Sequence, residues 1–300
     1  SLKAVTITKE RNLPLDIDKQ VKGKSVTLSK LSKDAWFIGS DDKEKLKEKI
    51  EHIGKPLKDW DIKIYYGIKT GLNEAFIIDD IKRQEILDDC KDEDERRRTE
   101  SIIKPILRGR DIKRYYYEWA GLWVIFIHWH FPLHNDASIQ GASEKAENEF
   151  KKQYPSVYNH LLQYKESLSK RNKEETGIRY EWYALQRCAA TYYPEFENEK
   201  VVWNRIANKV IFSYVNDKFF VLDSTFFIVG EKIKFLTAAL NSKVALYWMK
   251  SSLATLGEGM YGAKIYVEKL PIPPITPSNQ HIVSQIESLV DKILAAKKTN

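Results

Sequence analysis

Apolar positions along this chain change their period several times, and each change predicts an element. Over residues 41–53, Leu46, Ile50 and Ile53 recur at helical spacing in a charged background. Asp41 or Asp42 stands near the N-cap, and Gly54 and Pro56 end this helix. Ile62–Tyr66 reads as a strand. A turn bracketed by Gly67 and Gly71 follows, running to Asn73, and then a second strand, Ala75–Ile78. Residues 82–100 are densely charged and predict a helix whose charges nearly cancel, as on a solvated face. Residues 102–114 form a short basic stretch, and Trp123–Trp129 predicts a buried strand. Residues 143–171 read as helix, interrupted at Pro155, which a first-turn position accommodates. Val201–Val229 is a run of strands rich in β-branched and aromatic residues. A helix over about 232–251 carries Phe235, Ala238, Ala239, Val244 and Trp248. Gly257, Gly259 and Gly262 mark a flexible loop, and Pro271, Pro273, Pro274 and Pro277 a rigid one. The last helix, 278–297, places Ile282, Ile286, Leu289, Val290, Ile293 and Leu294 in one stripe that needs a partner surface. Residues 1–30 alternate only weakly (Val5, Ile7, Val26, Leu28) and read as a linker or a strand separated from a preceding domain.

Composition narrows the class. The 300 residues are 43% hydrophobic and 30% charged, which suits a globular protein with an ample core. No apolar run approaches a membrane span, since Val221–Val229 is broken by Asp223 and Ser224. The chain opens on Ser1-Leu2-Lys3, without Met or an apolar signal segment, and is expected to be part of something longer in the cytoplasm. Cys90 and Cys188 lack paired spacing and read as free thiols in a reducing compartment. A net charge of +7 mildly favours a polyanionic partner. Eight Trp and sixteen Tyr, many beside Arg or Lys, point the same way, although core packing uses aromatics in any protein.

A search for catalytic chemistry returns little. No Asn-Pro-Pro-Tyr-type loop for a flipped base is present, no P-loop and no dinucleotide-binding glycine fingerprint. Trp36-Phe37-Ile38-Gly39 has a single glycine, and Pro273-Pro274 sits between isoleucines. Asp59, Asp61 and Lys63, or Asp79, Asp89 and Lys91, fit the bare pattern of a metal-dependent nuclease. In a chain this rich in Asp, Glu and Lys such matches arise by chance. His128 and His130, with His134 nearby, lack the further ligands that zinc requires and read as core or surface histidines. The absence of a catalytic constellation favours a binding module.

Several segments, in order, resemble the TaqI-like C-terminal specificity domain of restriction–modification enzymes. They are Leu57-Lys58-Asp59-Trp60-Asp61-Ile62, then Tyr66-Gly67-Ile68-Lys69-Thr70-Gly71-Leu72-Asn73 with Glu74–Asp79, and Ile103-Lys104-Pro105-Ile106-Leu107-Arg108-Gly109-Arg110-Asp111-Ile112-Lys113-Arg114-Tyr115. Tyr154-Pro155, His160-Leu161, Leu168 and Arg171 are similar to the family's helical middle, and Val202-Trp203-Asn204-Arg205-Ile206 to a strand before its recognition region. Leu240-Asn241-Ser242-Lys243, the glycine loop and Leu270-Pro271-Ile272-Pro273 resemble the end shared with type I specificity subunits. Together the matches run from about residue 31 to 275.

The resemblance implies an α+β fold: a mixed-sheet DNA target-recognition domain with helical insertions and a C-terminal packing helix. It divides the chain into a linker or remnant (1–30), the recognition domain (31–275) and the last helix (276–300). It further implies a bacterial type II (IIG) enzyme that fuses cleavage, adenine methylation and recognition in one polypeptide, with related domains in phage-exclusion methyltransferases. S-adenosylmethionine and magnesium would serve the catalytic modules, which lie outside this chain, and no cofactor is expected here. The expected partners are double-stranded DNA and the methyltransferase and helical spacer domains of the same polypeptide.

Within that frame cations set register on phosphates, and fewer side chains read base edges, Arg pairing with guanine and Asn with adenine. Lys69, Thr70, Asn73, Lys104, Arg108, Arg110, Lys113 and Arg114 are the expected contacts to phosphate or to a neighbouring domain. For Arg108, Arg110 and Arg114 the rival is an internal salt-bridge cluster with Asp111 and Glu118. The turn glycines serve either close backbone approach or positive φ. Asn204, Arg205, Asn208 and Lys209 lie where related enzymes vary specificity and are the expected base readers. No catalytic or metal-binding residue is expected. The competing functions are a nuclease with a cryptic metal site and a docking scaffold that does not bind DNA.

Overall fold

Two four-stranded sheets organise the computed structural model, which describes residues 2–5, 7, 14–28, 41–171, 180–252, 255–256 and 259–298. The first sheet is antiparallel, in the order Phe212–Val215, Lys200–Asn204, Thr225–Gly230, Ile62–Tyr66. The second is mixed: Phe220–Val221 runs parallel to Ile103–Leu107, which pairs antiparallel with Leu122–Ile125, and that strand with Ile77–Asp79. With twelve α-helices among the described residues, the class is α+β.

The first sheet is buried on both faces, and its two-residue period sorts side chains between two cores. Val202, Phe227 and Val229 face one core, which they share with the second sheet and the helices Glu144–Gln153 and Pro155–Leu162. Val201, Trp203, Phe226 and Ile228 face the other, built with the helices Ile233–Leu240, Lys243–Ser252 and Gln280–Lys298. Near-continuous apolar runs are what a strand buried on both sides requires, and the Val201–Val229 run supplies them.

The sequence reading departs from the structure in several places, each for a local reason. The stretch 82–100 is not one helix: Asp80–Asp88 stops, and Asp92 caps a second helix, Glu93–Ile102, by accepting from the Glu95 amide at 2.7 Å. Ala75–Ile78 is not one strand: Asn73–Phe76 forms a helical turn, and the ladder begins at Ile77. Ala75 and Phe76 are both fully buried, which a strand with one covered face does not allow. Trp123–Trp129 leaves its ladder after Ile125, because Ile103 opposite it is the first residue beyond the helix Glu93–Ile102. The predicted helix over 232–251 is two helices. They part at Asn241, whose Nδ2 donates to the Phe212 carbonyl at 2.7 Å and whose Oδ1 accepts from the Phe212 amide at 3.2 Å. That side chain extends the ladder of an edge strand, a task incompatible with staying inside a helix. Residues 1–30 hold a two-stranded ladder, Leu2–Ala4 with Val26–Leu28, and an exposed helix, Ile17–Lys24, capped by Asp16. Trp36–Gly39, Gly257 and the boundary expected at residue 31 lie outside the described residues.

Two segments far apart in sequence meet: Lys55–Pro56 pairs with Pro271–Ile272, and the Leu57 amide donates to the Leu270 carbonyl at 2.9 Å. The final helix lays Val283 and Val290 against Ile233–Leu240, while Ile282 and Leu289 stay exposed. None of the helices among the described residues is long and apolar enough to cross a membrane.

The first core carries a histidine that makes stability depend on pH. His128 is 7% exposed and stacks on His134, ring centroids 4.5 Å apart. Burial first, and the neighbouring imidazole second, push its pKa from 6.5 down to about 4. The unfolded chain takes up a proton near pH 6.5, whereas the folded site resists one until about 4. Stability from this group is therefore complete above pH 6.5 and lost as pH falls to 4, by about 3 kcal/mol. Urea titrations at pH 7 and 4.5 should show this loss, and His128→Phe should remove most of it. An equal acid loss in the variant would reject His128 as its source.

Candidate nucleic-acid interface

The turn Leu222-Asp223-Ser224-Thr225 joins the two sheets. Thr225 closes it, its amide and Oγ1 both donating to the Leu222 carbonyl, at 2.9 and 2.7 Å. Three separate segments dock on this turn. Ile68, which leads into Lys69-Thr70-Gly71, accepts at its carbonyl from the Asp223 amide at 2.8 Å, and its own amide donates to the Val221 carbonyl at 2.9 Å. Leu107, which leads into Arg108-Gly109-Arg110, accepts from the Leu222 amide at 3.3 Å. Arg205 donates its amide to the Ser224 carbonyl at 2.9 Å. A fourth tie crosses directly: Asn204 Nδ2 donates to the Gly109 carbonyl at 2.9 Å. The basic stretch, the glycine-bracketed turn and two of the expected base readers, Asn204 and Arg205, thus meet at this turn, although far apart in sequence.

The glycines of the turn serve both purposes that the sequence left open. Gly67 allows close approach, since a Cβ there would lie 2.0 Å from the Leu222 carbonyl oxygen. Gly71 adopts φ +79°, in the left-handed region that favours glycine. Thr70 is buried, with its Oγ1 2.6 Å from Asn73 Oδ1, so these two side chains hold each other. Arg171 holds the turn from beneath: Nη1 donates to the Thr70 carbonyl at 2.7 Å, Nη2 to the Trp182 and Ala184 carbonyls at 2.7 and 2.8 Å, and Nε to the Leu168 carbonyl at 3.1 Å. Burial pushes its pKa down to about 10, which leaves it protonated at neutral pH. Beside it a cavity of about 550 Å³ is lined by Lys69, Asn73, Gln186 and Asp223.

The expected phosphate contacts differ in what already binds them. Arg108 is tied to buried Asp111 through Nη2 at 2.9 Å and Nε at 3.1 Å. Lys113 pairs with Glu118 at 3.3 Å, and Lys104 lies 3.9 Å from Glu197. The internal ion pairs weighed as the rival for the arginines therefore exist for Arg108, with Lys113 engaging the second carboxylate. Arg114 donates to the Asn241 carbonyl at 2.8 Å and lies over the Tyr115 ring. Arg110 is exposed, with no ion pair among the described residues. Asn204 and Arg205 are half-buried, whereas Asn208 and Lys209 are exposed on the loop before Phe212–Val215. Asn204 Oδ1 is buried without a hydrogen-bond partner among the described residues.

Sequence reasoning missed Arg187, Asp223 and Ser224. Arg187 pairs its backbone with Lys69 in both directions, at 2.9 and 3.0 Å, and its Nη2 meets Asp223 Oδ2 at 3.2 Å. No local signal marks it, for it is one cation in the buried run Tyr183–Ala189.

Among the described residues no group of three or more His, Cys, Asp and Glu is placed to hold an ion. Asp79 instead caps a helix, accepting from the Lys82 amide at 2.8 Å. His128 and His134 stack 7° from parallel, so lone pairs in the two ring planes do not converge, and His130 Nδ1 pairs with Glu181 at 2.9 Å.

A family model described as the TaqI-like C-terminal specificity domain matches residues 104–272, more than half of the chain. Among solved structures, the type IIL restriction–modification enzyme MmeI in complex with DNA aligns at a TM-score of 0.48 and 13% identity, over 82% of this chain and 29% of that one. The type IIG restriction endonuclease BpuSI aligns at 0.48 and 14%, over 83% of this chain and 28% of its own. The chain spans less than a third of either protein. A comparison with curated proteins found no match.

Proposed function

This chain belongs to the TaqI-like C-terminal specificity domain family, and from that premise we propose that it reads a short sequence in double-stranded DNA for a type IIG restriction–modification enzyme. One observation carries the assignment of residues: the Lys69, Arg110 and Arg205 segments all converge on the turn Leu222–Thr225. Lys69, Arg110 and Arg114 set register on phosphates, and Asn204, Arg205, Asn208 and Lys209 face base edges. Arg108, Lys104 and Lys113 support the seam through their carboxylates. Cleavage and adenine methylation, with magnesium and S-adenosylmethionine, belong to other modules of the same cytoplasmic polypeptide. A helical spacer docks on the last helix, where Ile282 and Leu289 border an apolar groove of about 640 Å³.

Duplex binding measured across salt tests this reading. Three phosphates neutralised imply a log–log slope near −2.7, so raising salt from about 50 to 200 mM should weaken binding roughly 40-fold. Arg110→Ala should weaken all duplexes equally and flatten the slope by about 0.9. Arg205→Ala should instead relax preference at one base pair, costing about 1–3 kcal/mol on the cognate site only. With methyl donor and magnesium supplied, the chain should neither methylate nor cut. Binding that ignores salt, or is absent at low salt, would favour the docking scaffold. Cutting that is lost in Asp61→Asn or Asp89→Asn would establish the nuclease.

A further inference from the structure

The pair Arg187–Asp223 sits at the junction of the three converging segments. Its backbone is fixed at both ends: Arg187 by the two-way pairing with Lys69, and Asp223 by donating its amide to the Ile68 carbonyl at 2.8 Å. The side chains are 46% and 33% exposed, so the guanidinium is open to a ligand. The pair uses only Nη2, and among the described residues no hydrogen bond engages Nε or Nη1. Ser224, the next residue of the turn, is exposed beside Asn204 and Gly109.

Resting on the DNA-recognition reading above, we infer that Arg187, oriented by Asp223, is a further specificity-determining residue that reads a guanine in the major groove. The chemistry of the pair decides between the two DNA groups an arginine can take. A phosphate reaching this guanidinium would bring its negative charge against the Asp223 carboxylate, which opposes the contact. Guanine O6 and N7 are neutral acceptors that match the arginine fork in two parallel hydrogen bonds. A carboxylate on one side of the fork then fixes its plane and lowers the entropy lost on contact. Stability gives little reason for the pair, since an ion pair this exposed contributes almost nothing to folding. For the same reason its variants fold.

The test selects preferred duplexes from a random pool with the 300-residue chain, then measures affinity for the selected site and for its single-base-pair changes. Arg187→Ala should weaken the selected site roughly 5- to 150-fold and lose discrimination at one guanine, with sites already changed there unaffected. Arg187→Lys should not restore that discrimination, because an ammonium lacks the planar fork. Asp223→Ala should blur the same position. A phosphate contact predicts the opposite pattern, in which Arg187→Ala weakens every duplex equally, Arg187→Lys restores binding and Asp223→Ala tightens it. That pattern, or selection unchanged by Arg187→Ala, overturns the inference and leaves DNA recognition standing. Failure of the unsubstituted chain to prefer any sequence overturns both.

Discussion

Gly67→Ala is expected to prevent the chain from reaching its native fold, with a loss above about 4 kcal/mol. The added methyl would meet only backbone: the Leu222 carbonyl oxygen at 2.0 Å, its carbon at 2.3 Å and the Val221 oxygen at 2.5 Å. No rotamer change relieves such a contact. The Gly67 amide also donates to the Thr225 carbonyl at 3.2 Å, so moving the strand away breaks the joint that unites the turn with the first sheet. Gly23→Ala is the control. Nothing lies within 4 Å of its added methyl, and it sits in the exposed helix Ile17–Lys24, where alanine is favoured. Circular dichroism and urea midpoints on both variants check the expectation. A Gly67→Ala chain that unfolds at the parent's urea concentration would mean the close approach is not maintained in solution.

Arg171→Leu should cost about 4 kcal/mol or more. The guanidinium serves four carbonyls from three segments, those of Leu168, Thr70, Trp182 and Ala184; leucine would break all four bonds and leave Trp182 and Ala184 without a donor among the described residues, while Thr70 keeps the Gln186 amide at 3.3 Å and Leu168 the amide of residue 171 at 3.4 Å. Each buried acceptor so orphaned costs about 1–3 kcal/mol, partly recovered by relaxation and by water entering the adjoining cavity. Lysine should recover little, because a single ammonium cannot reach positions set by a planar fork. The loss should also reach DNA, since Thr70 anchors the turn that carries Lys69. Denaturation of Arg171→Leu and Arg171→Lys beside the parent measures it. Equal midpoints for leucine and parent would show that the clamp contributes nothing.

Much of the fold was legible in the sequence because its signals are local. The helix Asp41–Ile53, the strand Ile62–Tyr66 and the last helix follow from spacing within a dozen or so residues, together with the stops that Gly54 and Pro56 provide. The run Val201–Val229 announced strands, and the structure covers them on both faces. The ordered motifs from Leu57 to Pro273 announced the family, and the matched stretch 104–272 lies within them. Where a partner from elsewhere intervened, local reading failed. Asn241 splits a helix because Phe212 needs its amide, and Trp123–Trp129 loses its ladder where the opposite strand becomes a helix.

The candidate site divides the same way. That Lys69, Arg110 and Arg205 belong together could be proposed from motifs, yet that they meet at one turn depends on hydrogen bonds to Leu222, Asp223 and Ser224. Arg108 and Asp111, three residues apart, form an ion pair that sequence could only set against DNA contact. Arg187 and Asp223, thirty-six residues apart, carry no signal until the chain folds. A sequence determines by itself what neighbours along the chain can enforce: period, caps, turns and charge. Which cation is neutralised and which is presented depends on distances between remote segments, and only the packing of the two sheets around the Leu222–Thr225 turn decides those.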